Sequence, residues 1–266
     1  MSRPELLLFT TDPAQVREAT AAGIGGFVVD WERRGKRERQ HGVDTQINEC
    51  DAGDLRRVRA ATRARVVCRI NGVHEATAEE VELALACGAD EVLVPMVRRP
   101  REVEAVLDLA KERAAVGMLV ETRDALGCLP ELARLPLARV YLGLMDLSIE
   151  RATPNLFEPI VDGTLERVRA AFDVPFGFAG LTLPDGGRPV PCRLLIGEMA
   201  RLGCRFGVLR RSFLRDVPAG SMGRAVERIF AAFAEADRRG PARGNGDRRE
   251  LERVVKEIDG GAFAAR

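Results

Sequence analysis

Short apolar runs alternate with amphipathic segments along most of the chain. The runs are bounded by glycine or charged residues, which is typical of strands buried on both faces of a parallel sheet. They occupy residues 6–9, 26–30, 66–70, 91–94, 117–120, 140–144, 176–178 and 206–209. The segments between them have helical spacing, as at Val103, Val106, Leu107 and Ala110. Eight strand–helix alternations predict an α/β fold, a (β/α)8 TIM barrel, rather than a doubly wound sheet.

The composition changes after Asp237. Residues 240–249 are rich in glycine, arginine and other polar residues and predict a mobile linker, and residues 250–258 predict a short charged helix. We therefore expect one barrel domain over residues 1–239 and a linker with a short charged helix or tail over residues 240–266. The tail either frays or packs on another subunit, and the second alternative implies a homo-oligomer.

Composition limits the kinds of partner. The chain has 41 basic and 40 acidic side chains, so its net charge of +1 gives no general attraction to nucleic acid or to a membrane surface. No apolar run approaches the ~18 residues that span a bilayer, and the N-terminal residues lack a secretory pattern. The six cysteines have neither metal-type nor redox spacing. These features predict a cytoplasmic protein with reduced thiols that acts on small molecules.

Two acidic residues each follow a predicted strand. Glu121 comes directly after residues 117–120, and Asp146 follows residues 140–144. Because parallel strands have their carboxyl ends at one edge, the two carboxylates should lie on the same rim. A pair of carboxylates with no nearby His or Cys suits a hard cation such as Mg²⁺ or Mn²⁺. Either residue alone could instead be a helix cap or a salt-bridge partner, but the pair favours a metal site.

Other acids and arginines are predicted on the same rim. They are Asp30, Glu32, Arg69, Asn71, Thr182, Arg210 and Arg211. Five segments in this order resemble the HpcH/HpaI aldolase/citrate lyase β-subunit family of the phosphoenolpyruvate/pyruvate barrel superfamily. The segments are VVDWE at 28–32, CRIN at 68–71, GADEVLVPMV at 88–97, LVET at 119–122 and GLMDLS at 143–148. The resemblance covers about residues 26–212.

The resemblance implies a metal-dependent carbon–carbon lyase. The simplest form is a class II pyruvate aldolase that cleaves or forms a 4-hydroxy-2-oxo acid through a metal-bound enolate. Glu121 and Asp146 match the family's metal ligands, and Arg69 matches the arginine that binds the substrate carboxylate and 2-oxo oxygen. Gly143 and Met145, in the motif that contains Asp146, are expected to contact the substrate.

The second substrate is expected to be an anionic or hydroxylated aldehyde. Arg210 and Arg211 follow the last strand, where barrels often bind phosphate or carboxylate groups, although they could equally form salt bridges on the rim. The charged segment 32–39 could bind phosphates or form a solvated face, and both alternatives stay open.

The general base is not fixed by the sequence. The aldolase branch usually has a histidine directly after the acidic motif of the second strand, whereas this chain has Arg33 there. His41 is the first candidate for proton transfer, with His74 and metal-bound water as alternatives. Glu32 could act on the substrate or support the metal site.

Two further functions stay open at this point. One is an acyl-thioester lyase of the citrate lyase β-subunit kind, in which basic residues would meet coenzyme A phosphates. The other is a barrel that binds an anionic metabolite without turning it over.

Overall fold

Parallel strands form the wall of a barrel in the computed structural model, which describes residues 3–40, 49–218, 220–239 and 241–258. The strands are β1 (Glu5–Phe9), β2 (Gly26–Asp30), β3 (Arg65–Arg69), β4 (Glu91–Val94), β5 (Ala115–Val120), β6 (Arg139–Leu142), β7 (Phe176–Phe178), β8 (Gly180–Leu181) and β9 (Phe206–Leu209). Their order in the sheet is β7-β6-β5-β4-β3-β2-β1-β9-β8. Since β7 and β8 are separated only by Ala179, this order brings the sheet round on itself. The predicted (β/α)8 barrel is confirmed.

The seventh barrel strand is divided between β7 and β8. Ala179 has a left-handed backbone with a φ of 54°, so β7 pairs with β6 while β8 pairs with β9. The Tyr141 hydroxyl donates a hydrogen bond of 2.6 Å to the Ala179 carbonyl. The sequence pattern predicted β7 but not β8, because Gly180 opens a glycine- and proline-rich segment that is typical of a loop.

Helices surround the barrel. They are α1 (Pro13–Ala21), α2 (Lys36–Arg39), α3 (Ala52–Ala61), α4 (Thr77–Ala86), α5 (Pro100–Ala110), α6 (Arg123–Gly127), α7 (Leu129–Leu132), α8 (Leu144–Arg151), α9 (Glu158–Val161), α10 (Thr164–Ala171), α11 (Cys192–Arg201), α12 (Ser212–Asp216), α13 (Met222–Arg238) and α14 (Pro241–Lys256). Over the residues that the structure describes, no helix has the length and apolar character needed to cross a bilayer.

The apolar side chains form two layers. Alternate residues of a strand point to opposite sides of the sheet, so Phe27 and Val29 pack against the helices while Val28 faces the barrel interior. The inner layer also contains Leu7, Val67, Leu93, Leu119 and Phe206. Burying each such side chain contributes about 1.5–3 kcal/mol, which is why both faces of the strands are apolar.

Ion pairs close the amino-terminal end of the barrel. The Arg139 guanidinium lies 2.8 Å from Glu91 Oε1 and 2.8 Å from Glu5 Oε2, and its Cζ lies 4.8 Å from the centre of the Phe206 ring. Burial raises the pKa of the Glu91 carboxyl, although the Arg139 charge opposes this shift. A cavity inside the barrel can therefore open only toward the carboxyl ends of the strands.

The strand register sets which polar residues meet at the carboxyl-terminal rim. Asp30 at the end of β2 is paired with Arg69 at the end of β3. Val120 of β5 is paired with Leu142 of β6, so that Glu121 and Gly143 follow side by side. These two pairs, each on two neighbouring strands, form the framework of the candidate site.

The C-terminal segment departs from its prediction. Helix α14 begins at Pro241, so the linker predicted over residues 240–249 is wrong within the described residues. Arg239 pairs with Asp247, Arg248 donates to Glu198 at 2.6 Å, and Leu251 is buried against the body of the protein. These tertiary contacts offset the weak helix propensity of Gly244 and Gly246, about 1 kcal/mol each. The division into residues 1–239 and 240–266 stays a prediction.

Candidate active site

A cavity of about 280 Å³ opens at the carboxyl-terminal rim of the barrel. Its lower wall is mainly apolar and includes Leu7, Val67, Leu93, Leu119 and Phe206, with Arg139 and Tyr141 also among the lining residues. Most of the sequence-predicted site residues line its upper part, namely Arg69, Glu121, Gly143, Met145, Asp146, Arg210 and Arg211. The barrel thus brings residues from four different strand ends to one cavity, as expected for this fold.

Arg69 is held in place by a two-point ion pair with Asp30. Its Nε lies 2.8 Å from Asp30 Oδ1 and its Nη2 lies 2.7 Å from Asp30 Oδ2, the parallel arrangement that a guanidinium and a carboxylate prefer. Its Cζ also lies 5.4 Å from the centre of the Phe9 ring. Burial would raise the pKa of the Asp30 carboxyl, but Arg69 and Lys36 outweigh it and hold that pKa well below its usual range.

The Arg69 side chain keeps the N–H groups of its Nη1 atom for a ligand. Its Nη1 makes no hydrogen bond with any residue that the structure describes, while the side chain lines the cavity. The two-point ion pair with Asp30 fixes the plane of the guanidinium, so the remaining N–H groups of Arg69 have a defined direction. An anion with planar geometry would meet a preorganised donor here.

Glu32 lies behind this pair and holds two further cations. Lys36 Nζ lies 3.0 Å from Glu32 Oε2 and 3.2 Å from Asp30 Oδ2, and Arg39 Nη2 donates to Glu32 Oε1 at 2.6 Å. Only 1% of the Glu32 side chain is exposed. Glu32 is therefore placed to orient the surrounding cations. The sequence had left open whether Glu32 supports the site in this way or acts on the substrate.

Asp146 accepts hydrogen bonds on both oxygens. Arg39 Nε lies 2.7 Å from Oδ1, and Gln40 Nε2 lies 3.2 Å from Oδ1 and 3.0 Å from Oδ2. Asp146 is in the first turn of α8, where the helix dipole favours a negative charge. Because Arg39 contacts both Asp146 and Glu32, it links the rim after β6 to the segment after β2.

Glu121 is a buried carboxyl beside Asp146. Its Oε1 accepts a hydrogen bond of 2.8 Å from the backbone N–H of Met96. Burial, followed by the charges of Asp146 and Glu32, raises the pKa of Glu121 to about 8, against the opposing effect of Arg69. A Cβ at Gly143 would overlap Glu121 Oε2, so glycine at that position makes room for the carboxyl group.

The predicted metal ligands were tested against this geometry. Mg²⁺ is coordinated at about 2.0–2.1 Å and requires carboxylate lone pairs directed at it. Both Asp146 oxygens are occupied by Arg39 and Gln40, and no cluster of three or more Asp, Glu, His or Cys side chains suited to a metal occurs in the described ranges. As arranged here, the donor set does not fit a divalent cation. The choice of Mg²⁺ or Mn²⁺ stays a prediction.

Of the two histidines, only His74 lies in the described part of the chain, and it does not line the cavity. His74 lies in a separate groove, where its Nε2 is 3.4 Å from Glu80 Oε2 and its Nδ1 accepts from the backbone N–H of Ala76. His41, the first candidate for proton transfer, lies outside the described residues. Its role stays a prediction.

Arg210 and Arg211 are both at the cavity mouth. Arg210 Nη2 lies 3.7 Å from Asp216 Oδ2, an acid that also accepts a 2.8 Å hydrogen bond from Thr182 Oγ1. About a third of the Arg210 side chain is exposed, so the ion pair leaves it accessible from the mouth. This arrangement combines both sequence alternatives, a rim salt bridge and a cationic group open to an anion.

Sequence reasoning missed three residues that pair with the acids through charge or hydrogen bonds. These are Lys36, Arg39 and Gln40, of which the first two were treated as part of a charged segment that is either solvated or phosphate-binding. Lys36, Arg39 and Gln40 are spaced i, i+3 and i+4, and Lys36 comes six residues after Asp30, the acid that ends a buried strand. This spacing puts the three side chains on one helical face and is the signal that could have found them.

Comparison with known proteins gives structural matches only. No family model and no curated protein sequence matches the chain. An HpcH/HpaI aldolase/citrate lyase family protein from Burkholderia cenocepacia J2315 matches with a TM-score of 0.60 and 16% identity, over 78% of this chain and 88% of that one. The citrate synthase SbnG matches with a TM-score of 0.59 and 16% identity, over 80% of this chain and 89% of that one. At this identity the matches establish the fold, and they agree with the resemblance of the sequence motifs.

Proposed function

We propose that this chain is a carbon–carbon lyase of the HpcH/HpaI aldolase/citrate lyase kind that acts on a 2-oxo acid. The simplest reaction is the reversible cleavage of a 4-hydroxy-2-oxo acid into a pyruvate-like acid and an aldehyde. The observation that carries the proposal is the Asp30-held guanidinium of Arg69 at the mouth of a cavity with an apolar floor. Both structural relatives have names that indicate lyase or synthase chemistry.

Arg69 suits the planar end of a 2-oxo acid. A carboxylate and the adjacent oxo group present oxygens in one plane, which a fixed guanidinium can meet with parallel N–H donors. An ammonium group would supply the charge without this geometry. The Asp30 pair stops the guanidinium from rotating, so little order has to be gained when the substrate binds.

The lower part of the cavity suits the remainder of a small 2-oxo acid. Val67, Leu93 and Leu119 line it, while the polar groups of Arg139 and Tyr141 are already paired with Glu91 and with the Ala179 carbonyl. A methyl or short alkyl group would be desolvated against these side chains while the carboxylate stays at the polar rim. The arrangement therefore favours substrates with a charged end and an apolar end.

The cleavage needs one proton removed and one delivered. A base takes the proton of the 4-hydroxyl group, the C3–C4 bond breaks to release the aldehyde, and its electron pair forms the enolate of the 2-oxo acid. The enolate oxygen bears the negative charge, which the Arg69 guanidinium stabilises through a charge-assisted hydrogen bond. Protonation of C3 then gives the second product. His41 is the proposed proton-transfer group, as the sequence predicts.

The aldehyde would enter past Arg210 and Arg211. A phosphate, carboxylate or hydroxyl group on the aldehyde would find two guanidinium side chains at the mouth. This favours an anionic or hydroxylated aldehyde over an apolar one.

Proton exchange tests the proposal without knowledge of the aldehyde. An enzyme that forms the enolate of pyruvate should replace its methyl protons with deuterium in D₂O, which ¹H NMR follows directly. Arg69→Lys should slow this exchange by about two powers of ten, because it keeps the charge but loses the fork. Arg113→Lys is the matched control, since Arg113 forms an exposed pair with Glu82 on the outer surface and should exchange at the parent rate.

Two results would contradict the proposal. One is a parent protein that exchanges neither pyruvate nor 2-oxobutanoate, with or without divalent metal. The other is Arg69→Lys at the parent rate. Cleavage of an acyl thioester by a parent that leaves 2-oxo acids untouched would move the function to the citrate lyase β-subunit kind.

A further inference from the structure

The strongest unused feature is the set of side chains around Asp146. Arg39 and Gln40 occupy both of its oxygens, at distances of 2.7–3.2 Å. Arg39 is itself anchored a second time, through Glu32 at 2.6 Å. Only 16% of the Arg39 side chain and 6% of the Asp146 side chain are exposed, so this ion pair is largely shielded from solvent.

A cation at the Glu121–Asp146 pair would have to displace this arrangement. Asp146 Oδ1 already accepts from both Arg39 and Gln40, so a ligand bond there would break one of these hydrogen bonds, and a bond to Oδ2 would share that oxygen with Gln40. It would also bring a double positive charge beside a guanidinium that is held in place by Glu32. Like charges in a poorly solvated site repel strongly, so the guanidinium and the cation exclude each other.

The charges at the rim are already nearly balanced without a metal. The carboxylates are those of Asp30, Glu32, Glu121 and Asp146, and the neighbouring cations are Lys36, Arg39 and Arg69. Each of the three cations contacts at least one of these acids within 3.2 Å. Asp30, Glu32 and Asp146 are thus compensated by side chains of the protein, whereas Glu121 is held by the backbone N–H of Met96.

From these contacts we propose that Arg39 occupies the place of the divalent cation. Arg39 is a positioning residue that neutralises Asp146 and closes the Glu121–Asp146 pair to metals. The consequence for catalysis, which rests on the proposed function, is that enolate formation in this cavity needs no divalent metal. The enolate charge is then met by the protein's own guanidinium group at Arg69.

The decisive experiment is a Mn²⁺ titration followed by calorimetry, on full-length protein freed of metal with a chelator. The parent should bind Mn²⁺ weakly, and Arg39→Met should gain affinity by about tenfold or more, the scale on which neighbours of a metal ligand act. The gain should disappear when Asp146→Asn is added to Arg39→Met. Arg37→Met is the matched control, because Arg37 is on the same helix but pairs with Glu49 at the surface, where both side chains are at least 70% exposed.

A second variant and a second measurement protect the test from misfolding. Arg39→Gln removes the charge but keeps a hydrogen-bond donor, and it should show the same gain if Arg39→Met fails to fold. Parent protein should also exchange the methyl protons of pyruvate at the same rate in chelator and in Mn²⁺, within about twofold. That measurement needs no variant.

The inference is overturned by either of two results. The first is a calorimetric titration that shows either tight Mn²⁺ binding by the parent, abolished by Asp146→Asn, or no gain of affinity in both Arg39 variants. The second is exchange that stops in chelator and returns with Mn²⁺. Absence of exchange under both conditions contradicts the proposed function instead, and the calorimetric titration still decides the role of Arg39.

Discussion

Replacement of Asp30 by Asn should destabilise the barrel and disorder Arg69 together. Asp30 is 1% exposed and accepts two hydrogen bonds from Arg69 and one, at 3.2 Å, from Lys36. The amide has almost the same shape as the carboxyl group, so the substitution opens no cavity. It does leave the Arg69 and Lys36 cations beside a neutral side chain. In that side chain an NH2 donor replaces one of the two acceptor oxygens.

The expected cost follows from the burial of the pair. Removal of one partner of a buried ion pair costs about 3–5 kcal/mol. Because Asn keeps one acceptor oxygen and Lys36 keeps Glu32, we expect the lower end, about 3 kcal/mol, or about two powers of ten in the unfolding equilibrium. Asp185→Asn is the matched control, since Asp185 pairs with Arg228 at the surface with 68% of its side chain exposed. That change should cost no more than about 1 kcal/mol.

Urea unfolding followed by circular dichroism measures both changes. The pH dependence gives an independent check, because the folded-state pKa of Asp30 is below its ordinary value of 3.8. The stabilisation by a carboxyl with a lowered pKa is fully present above the unfolded-state value and is lost as the pH falls toward the folded-state value. The difference between parent and Asp30→Asn should therefore be constant near neutral pH and shrink below about pH 4. A variant as stable as Asp185→Asn at pH 7 would refute the claim that Asp30 anchors Arg69.

Two further substitutions test the site and the C-terminal helix. Gly143→Ala should lower the rate of pyruvate proton exchange, because its Cβ would displace Glu121. Gly127→Ala is the control and should leave the rate unchanged, since its Cβ would have no neighbour within 4 Å. Equal rates in both variants would contradict the packing argument. Leu251→Ala should lower the free energy of unfolding by about 2–5 kcal/mol, because Leu251 is 1% exposed in α14. Leu83→Ala is the control and should change this free energy little in the same urea titration, because Leu83 is 42% exposed. A silent Leu251→Ala would mean that α14 does not stabilise the barrel.

The barrel could be predicted from sequence because its strands are buried on both faces. Such strands are short runs of apolar residues in any family, so four of them, β2, β4, β7 and β9, were predicted with their observed ends. The failures have local causes. Strand β8 consists of Gly180 and Leu181, too short for any periodicity, and α14 begins in a segment whose glycines disfavour a helix until tertiary contacts with Glu198 and Arg239 stabilise it.

The acids of the site could also be predicted, but their partners could not. Glu121 follows β5 directly and Asp146 lies in the first turn of the helix after β6, so the fold places both at the rim. Arg39 is more than a hundred positions from Asp146 in sequence, and nothing in a single sequence states that the two side chains meet. The motif predicted two carboxylates available to a metal, whereas the folded chain provides two carboxylates of which one is already paired.

Strand-end motifs therefore predict which acids lie on the rim more firmly than they predict whether a metal ion or a guanidinium lies beside those acids. The strand register fixes Asp30 beside Arg69 and Glu121 beside Gly143, and a change there would disturb the barrel itself. The segment after β2 carries Lys36 and Arg39, which contact the acids of the rim through their side chains and not through strand pairing. Under the proposal for Arg39, this βα connection and not the strands decides whether the rim carboxylates bind a metal cation or a guanidinium.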